Sequence, residues 1–232
     1  MVEMNSMYNS LLQIPMFQGI STGDLTAILG KIEIYFKKVS KGEVFIKEGD
    51  DCNNIIFVIK GGVESFFKGK NYDFMFIEKY AANEIIEFYS LFGSSTKYTK
   101  SYMAAEDSFL VFIDKKYLLP QFRLYDIFNI NVLNMLCSKI QSCRSKIMLG
   151  NAQTTEDKIL QLFARLSDIK YGEKRMLVRM EDLAKIIGET RLTTSRALNS
   201  LKENNMILLK RKEIVLKEAR NITGIMMENF TI

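Results

Sequence analysis

The 232-residue chain has no histidine and no tryptophan, and it contains three cysteines and two prolines. Without histidine, the chain lacks the commonest general base, the usual catalytic triads and the commonest ligand of zinc and haem. The cysteines, Cys52, Cys137 and Cys143, are odd in number and form no CxxC pair. That pattern argues against a disulfide framework, a zinc site or a four-cysteine iron–sulfur cluster. We therefore predict that the protein is not an enzyme.

Long apolar runs are also missing. No run reaches the roughly 18 to 20 residues that a membrane span needs, and the N-terminus MVEMNSMYNS lacks the layout of a secretory signal. We expect a cytoplasmic protein with no membrane partner. Hydrophobic residues make up 47% and charged residues 25% of the chain, as in globular proteins with real cores.

Positive charge is concentrated near the C-terminus. The chain has a net charge of +5, while residues 170–220 hold 13 Lys/Arg and 7 Asp/Glu, a net of +6. The rest of the chain therefore sums to −1. This asymmetry favours a basic domain that faces a polyanion, with a merely solvated basic surface as the alternative.

The first half of the chain predicts short N-terminal helices over residues 14–29, followed by an antiparallel barrel or sandwich. From about residue 32 to 113, β-branched and aromatic runs alternate with Gly, Asp and Asn clusters. The predicted strands are Glu43–Lys47, Ile55–Ile59, Gly62–Phe67, Asp73–Glu78 and Phe109–Ile113.

A long helix is predicted next, over residues 127–149, with Gly150 and Asn151 as its stop. Its apolar stripe has spacings of 3, 4, 3 and 7, with Arg144 at the missing position. A heptad stripe favours a second helix alongside, and thus a homodimer. Burial of the stripe against the barrel of the same chain is the alternative. The stripe consists of Ile130, Leu133, Cys137, Ile140 and Ile147.

The last third predicts three helices and a small winged element. The helices cover Thr155–Leu166, Glu181–Ile187 and Arg191–Asn204. The segment Glu173–Val178 is the predicted strand partner of KRKEIVLK, which supplies a basic turn and a strand.

The second and third of these helices predict a helix-turn-helix. Gly188 permits the sharp turn, because glycine takes a positive φ at little cost. Thr190 suits the N-cap of the following helix. The inner faces are predicted to consist of small and apolar residues, namely Leu183, Ala184, Ile187, Thr194, Ala197, Leu198 and Leu201.

The outer face of the last helix predicts DNA binding. Arginine forks onto guanine O6 and N7 or onto phosphate, and hydroxyls at a helix N-terminus suit phosphate oxygens. An exposed polar helix in an ordinary α-domain is the alternative. The candidate DNA-binding residues are Thr190, Arg191, Leu192, Thr193, Ser195, Arg196, Asn199 and Lys202.

Two stretches resemble a known family. EDLAKIIGETRLTTSRALNSLKENNMI is similar to the helix-turn-helix of the Crp/Fnr transcription regulators of bacteria, and KGEVFIKEGDDCNNIIFVIKGGV to the start of their cyclic-nucleotide-binding-type β-roll. The resemblance implies an α+β fold with three parts. These are an antiparallel β-roll (a double-stranded β-helix) with N-terminal helices over residues 1–126, a dimerisation helix over 127–150 and a winged helix-turn-helix domain over 151–232.

The resemblance also implies a homodimer that binds a two-fold symmetric promoter site, works with RNA polymerase and senses an effector in its β-roll. Arg191, Ser195 and Arg196 match the DNA-contacting positions of the family. Leu192 departs, because many members have a glutamate there that accepts from cytosine N4. Leucine cannot accept that bond. A contact with a thymine methyl is open to it instead, so the preferred half-site stays open.

The effector region departs further. Members that bind cAMP have a Gly-Glu-Leu segment and an Arg-Ser pair, whereas Glu87 lacks the glycine and Lys100-Ser101 replaces the pair. Lysine faces a phosphate as a point charge, without the fork. We expect that neither cAMP nor an iron–sulfur cluster is bound, while haem on a cysteine, methionine or lysine stays open. The candidate effector residues are Glu87, Phe88, Ser90, Leu91, Lys100 and Ser101.

Two other hypotheses remain at this point. In the first, the β-roll is a ligand-binding module that acts on a protein partner rather than on DNA. In the second, the chain is an enzyme, but paired carboxylates such as Glu181-Asp182 are interpreted more simply as solvated residues at a helix start.

Overall fold

The computed structural model describes residues 10–149, 152–169 and 171–217. Its strands are β1 (Ile34–Val39), β2 (Val44–Ile46), β3 (Asn54–Lys60), β4 (Val63–Lys68), β5 (Phe74–Tyr80), β6 (Ile85–Ile86), β7 (Ser101–Ala104), β8 (Ser108–Asp114), β9 (Lys174–Val178), β10 (Ile207–Lys210) and β11 (Glu213–Leu216). The main helices are α1 (Thr22–Leu29), α2 (Asp126–Ile147), α3 (Thr155–Leu166), α4 (Met180–Ile187) and α5 (Arg191–Glu203). Short helical turns lie at Pro15–Phe17, Phe88–Ser90 and Lys115–Leu124.

The described chain divides into two compact units. The first takes in the described residues up to Glu64 together with Tyr80–Ser142, and the second takes in Ser65–Lys79 and the described residues from Cys143 onward. A hairpin between two β-roll segments thus belongs with the C-terminal helices. The three-part division by sequence, at residues 126 and 150, stays a prediction.

The first unit contains the predicted antiparallel β-roll, so the α+β fold class is confirmed. One of its sheets has the strand order β1-β8-β3-β6, and β2 pairs with β7. Strand β8 is central because it pairs with β1 through Ile34↔Ile113 and with β3 through Ile56↔Phe112. The core of this unit includes four packed phenylalanine rings, those of Phe17, Phe57, Phe122 and Phe128.

All five strands predicted in this region are present, and three further strands were missed. Strand β1 has four consecutive exposed residues, Tyr35–Lys38, so the alternation that marks a strand is absent. Strands β6 and β7 have two and four residues, which is too short for a periodic signal. The predicted N-terminal helices are found as the turn at Pro15–Phe17 and helix α1, which Ser21 caps.

Helix α2 carries the predicted heptad stripe on its exposed side. Ile130, Leu133, Ile140 and Ile147 have 52%, 60%, 67% and 79% of their surface exposed, and Cys137 is exposed as well. The opposite side is anchored by the Asn131 amide, which donates to the carbonyl of Gln18 at 2.7 Å. The predicted stop residues Gly150 and Asn151 lie outside the described residues. No helix in the part of the chain that the structure describes combines the length and apolarity of a membrane span.

The second unit is built around helix α3 and a small sheet. A capping box between Thr154 and Asp157 starts α3. Its inner face, with Ile159 and Phe163, packs against helix α5 and the strands. Strand β9 pairs with β11, and β11 with β10, which gives the predicted winged element.

A fourth strand completes this sheet from far away in the sequence. Strand β5 pairs antiparallel with β9 from Phe74↔Val178 to Glu78↔Lys174. Phe76 is fully buried in the core of this unit, with its ring 5.8 Å from that of Phe163. The hairpin that contains β5 is therefore an integral part of the winged unit.

A buried ion pair fixes the register of β5 on β9. The side chains of Glu78 and Lys174 are fully buried, with 2.9 Å between Oε1 and Nζ. The Glu78 carboxylate also accepts the backbone N–H groups of Asp168 and Ile169, and Lys174 Nζ donates to the Tyr171 carbonyl at 2.7 Å. A slip of β5 by one residue would break every bond that Glu78 makes and reverse the faces of the strand.

Replacing Glu78 should therefore destabilise the chain strongly. Glu78→Leu leaves the Lys174 ammonium buried without its counter-ion, which costs about 3–5 kcal/mol in the free energy of unfolding. Urea denaturation measures this loss. The double variant Glu78→Leu/Lys174→Met should recover the part of the loss that comes from the unpaired ammonium, while the Asp168 and Ile169 N–H groups still lack their acceptor. Glu173→Gln, at an exposed pair, should change stability by less than about 0.5 kcal/mol. A loss below about 1 kcal/mol for Glu78→Leu would contradict the assignment.

Candidate nucleic-acid interface and effector region

Helices α4 and α5 form the predicted helix-turn-helix. Gly188 ends α4 with a left-handed backbone, φ 69°, and Glu189 N–H donates to the Ala184 carbonyl at 2.9 Å. Thr190 caps α5, because its hydroxyl accepts the Thr193 N–H at 3.1 Å. Both roles were predicted from the sequence, since each depends on a local backbone requirement that few residue types meet.

The inner faces of the two helices are buried as predicted. Leu183 and Thr194 are fully buried, and Ala184, Ala197, Leu198 and Leu201 are nearly so, while Ile187 is half-buried. Thr194 satisfies its hydroxyl by donating to the Thr190 carbonyl at 2.9 Å. A threonine can therefore occupy this core position without an unsatisfied polar group.

The candidate DNA-binding residues lie on the other side of α5. Thr190, Arg191, Arg196, Asn199 and Lys202 are exposed, and Leu192 exposes 61% of its surface. Thr193 and Ser195 are half-buried. Most of the surface of this apolar side chain is therefore open to solvent.

A groove of about 380 Å³ runs between the starts of α4 and α5 and the wing. Two of its lysines, Lys210 and Lys212, belong to the predicted basic turn KRK, whereas Arg179 was not predicted. Lys212 takes a left-handed backbone, φ 58°, at the turn between β10 and β11. The charged residues that line the groove are Arg179, Glu181, Arg191, Lys210, Lys212 and Glu213.

Asp182 corrects one interpretation of the sequence. It was expected to be a solvated residue at a helix start, but it is 8% exposed and accepts from Arg179 Nε at 2.7 Å. The Asp182 carboxylate, and more weakly those of Asp73 and Glu181, raise the pKa of Arg179 above its ordinary value. Arg179 therefore stays fully charged at the edge of the groove.

In the first unit, Glu87 is buried and its carboxylate is occupied. It accepts the Thr99 N–H at 2.6 Å, the Ser90 hydroxyl at 2.9 Å and the Tyr102 hydroxyl at 2.9 Å. Burial, together with nearby Tyr80 and Glu87, raises the pKa of Tyr102 well above its ordinary value, so this hydroxyl remains a donor. The chain itself therefore fills both acceptor positions of Oε1 and one of the two positions of Oε2.

The other candidate effector residues surround this segment. Ser90, Leu91 and Lys100 are buried, whereas Phe88 and Ser101 are half-buried. The Ser101 hydroxyl accepts the Glu48 N–H at 3.0 Å. Next to Phe88, the ring of Tyr89 lies 4.4 Å from Lys139 Nζ of helix α2. The effector segment is thus in contact with the helix that carries the heptad stripe.

The cysteines occupy different environments. Cys52 is buried, and burial raises the pKa of its thiol, so the reactive thiolate is disfavoured. Cys137 and Cys143 are exposed on α2. Among the described residues, there is no group of three or more His, Cys, Asp or Glu side chains that could hold a metal ion.

Comparisons with known proteins place the β-roll in a family. A family model described as cyclic nucleotide-binding domain matches residues 36–124. Electron transport regulator A of Shewanella oneidensis is 20% identical over 191 residues, which cover 78% of this chain and 74% of that protein.

Two solved structures resemble the whole chain. The catabolite activator protein of Thermus thermophilus is 18% identical, with a TM-score of 0.47, and covers 92% of this chain and 99% of its own. DNR from Pseudomonas aeruginosa is 15% identical, with a TM-score of 0.46, and the match covers 93% of this chain and 96% of DNR. Likenesses at this level do not establish what this chain binds.

Proposed function

We propose that this chain is a cytoplasmic, homodimeric transcription regulator of the Crp/Fnr family that binds a two-fold symmetric promoter site through α5. The match of residues 36–124 to the cyclic nucleotide-binding domain model supports the family, as does the order of elements that follows, a long helix and then two short helices beside a small sheet. The observation that carries the proposal is the exposed face of α5, where two arginines and several hydroxyls surround a capped helix N-terminus. RNA polymerase is its expected protein partner.

The chemistry of this face suits the major groove of DNA. The start of α5 directs free backbone N–H groups and a partial positive charge outward. Arg191 and Arg196 can each fork onto a guanine. Leu192, with 61% of its surface exposed, offers an apolar contact to a thymine methyl. We propose that phosphate contacts come from Thr190, Thr193, Ser195, Asn199 and Lys202.

The exposed stripe of α2 supports dimerisation. A row of exposed isoleucine and leucine side chains with heptad spacing is stabilised when a second copy of the helix covers it. Pairing also suits the proposed target, because a dimer with two recognition helices matches a DNA site with two half-sites.

The occupied carboxylate of Glu87 supports an effector other than cAMP. The family resemblance assigns this carboxylate to the ribose hydroxyl of cAMP, but three groups of the chain itself already bind it. We propose that a different signal acts on this segment and reaches α2 through the contact between Tyr89 and Lys139.

Removal of either arginine should weaken binding to the preferred DNA site. Arg191→Ala and Arg196→Ala should each cost about 1–3 kcal/mol in binding free energy, because each loses a bidentate base contact. Fluorescence anisotropy with a site selected from genomic fragments measures the change, and Lys60→Ala on the β-roll is the control. Undiminished binding by both arginine variants would contradict the role of α5.

A charge placed in the heptad stripe should separate the dimer. Ile140→Lys would bring two ammonium groups together where the stripes of the two copies meet. We expect the dimer dissociation constant to rise about ten-fold or more. Sedimentation equilibrium measures it. Ser138→Lys adds the same charge outside the stripe and should leave the dimer intact. If both variants behave alike, the stripe is not the interface.

Cyclic AMP should not bind the purified chain. Millimolar cAMP should produce no saturable heat in calorimetry and no rise in the thermal midpoint, which a ligand of the folded state would cause. A cAMP-binding regulator measured in parallel is the control. Saturable binding of one cAMP per chain would show that Glu87 is available after all.

A further inference from the structure

Two exposed carboxylates lie against the cations of the groove described above. Glu181 Oε1 is 3.6 Å from Arg191 Nη1, and Asp73 Oδ2 is 3.4 Å from Arg179 Nη2. Arg179 and Arg191 both line the groove, and Arg191 is also the first residue of the proposed DNA-binding helix. The two carboxylates therefore occupy positions where DNA phosphates would approach.

These two acids differ from Asp182 and Glu213, the other acids that pair with cations at or near the groove. Asp182 and Glu213 are mostly buried, with 11% and 15% of their side chains exposed, and they hold Arg179, Arg175 and Lys210 in place. By contrast, Glu181 and Asp73 have 67% and 81% of their side chains exposed. Exposed pairs of this kind contribute little to folding, so these carboxylates have a small structural role.

Asp73 reaches the groove because the hairpin is locked onto β9. It precedes Phe74, which is paired with Val178, so Asp73 lies opposite Arg179 in the next position of the ladder. The buried Glu78–Lys174 pair fixes this register. A carboxylate from the β-roll part of the sequence is thereby held beside Arg179, a residue that lines the groove.

We propose that Asp73 and Glu181 limit the affinity of this chain for DNA by competing with DNA acceptor groups for Arg179 and Arg191. Each pair must open, at least in part, before its arginine can contact DNA, and the cost of opening is subtracted from the binding energy. The proposal rests on the proposed function of α5 as a DNA-binding helix. Both acids are positioning residues, because they act through the arginines.

Neutralising either acid should strengthen DNA binding. An exposed ion pair shifts an equilibrium by up to about five-fold, so Asp73→Asn and Glu181→Gln should each tighten binding by about two- to five-fold. The double variant should approach the product of the two effects, since the two pairs share no residue. Anisotropy with the full chain and a selected duplex, over a range of salt concentrations, provides the measurement.

The matched control is Glu203→Gln, which removes one exposed charge at the last residue of α5 without touching either pair. It accounts for the general effect of net charge on binding to DNA. The ratio of the DNA affinity of each test variant to that of the unaltered chain should also fall toward one at high salt, because exposed ion pairs are screened. Urea midpoints close to that of the unaltered chain exclude a change in folding.

A double-mutant cycle locates the effect. In an Arg191→Gln background, Glu181→Gln should give no more gain than Glu203→Gln, and the same holds for Asp73→Asn in an Arg179→Gln background. Two results overturn the proposal. In the first, the test variants gain no more DNA affinity than Glu203→Gln does in the otherwise unaltered chain. In the second, their gain persists after the partner arginine has been replaced. Absence of salt-dependent DNA binding by the unaltered chain would instead overturn the proposed function, so the two failures are distinguishable.

Discussion

The pairing of β5 with β9 is the interaction on which the C-terminal unit depends. It adds β5 to the wing sheet beside β9, places Phe76 in the core that supports α5, and requires the buried Glu78–Lys174 pair. A buried pair of this kind contributes less to net stability than to register, since breaking it leaves an uncompensated charge. Helices α4 and α5 therefore pack on a core that includes residues from the β-roll part of the sequence.

Local signals made much of the fold predictable. Gly188 at a left-handed turn, Thr190 at an N-cap and the inner faces of α4 and α5 each follow from a rule that acts over a few residues. The strand pairing of β5 with β9 could not be predicted, because its partners are about a hundred residues apart and neither strand carries a signal for the other. Glu78 and Lys174 look like ordinary surface charges until that pairing buries them.

The candidate sites divide in the same way. The face of α5 was predictable because helical spacing alone assigns its residues to one side. The groove was not, because Arg179, Lys210 and Lys212 come from three different elements. In the effector region, the sequence identified Glu87 by resemblance, but its state depends on Thr99 and Tyr102, which the fold brings to it from a later segment. A buried carboxylate that already accepts three hydrogen bonds from its own chain has little capacity left for a ligand.

The central claim is that two copies of α5 read a symmetric DNA site. Footprinting of the full chain on genomic fragments that it retains in the presence of competitor DNA tests this claim most directly. The account predicts two protected half-sites related by two-fold symmetry, with centres about 10 base pairs or one helical turn apart. No selection over competitor DNA, or protection of a single asymmetric stretch, would contradict it.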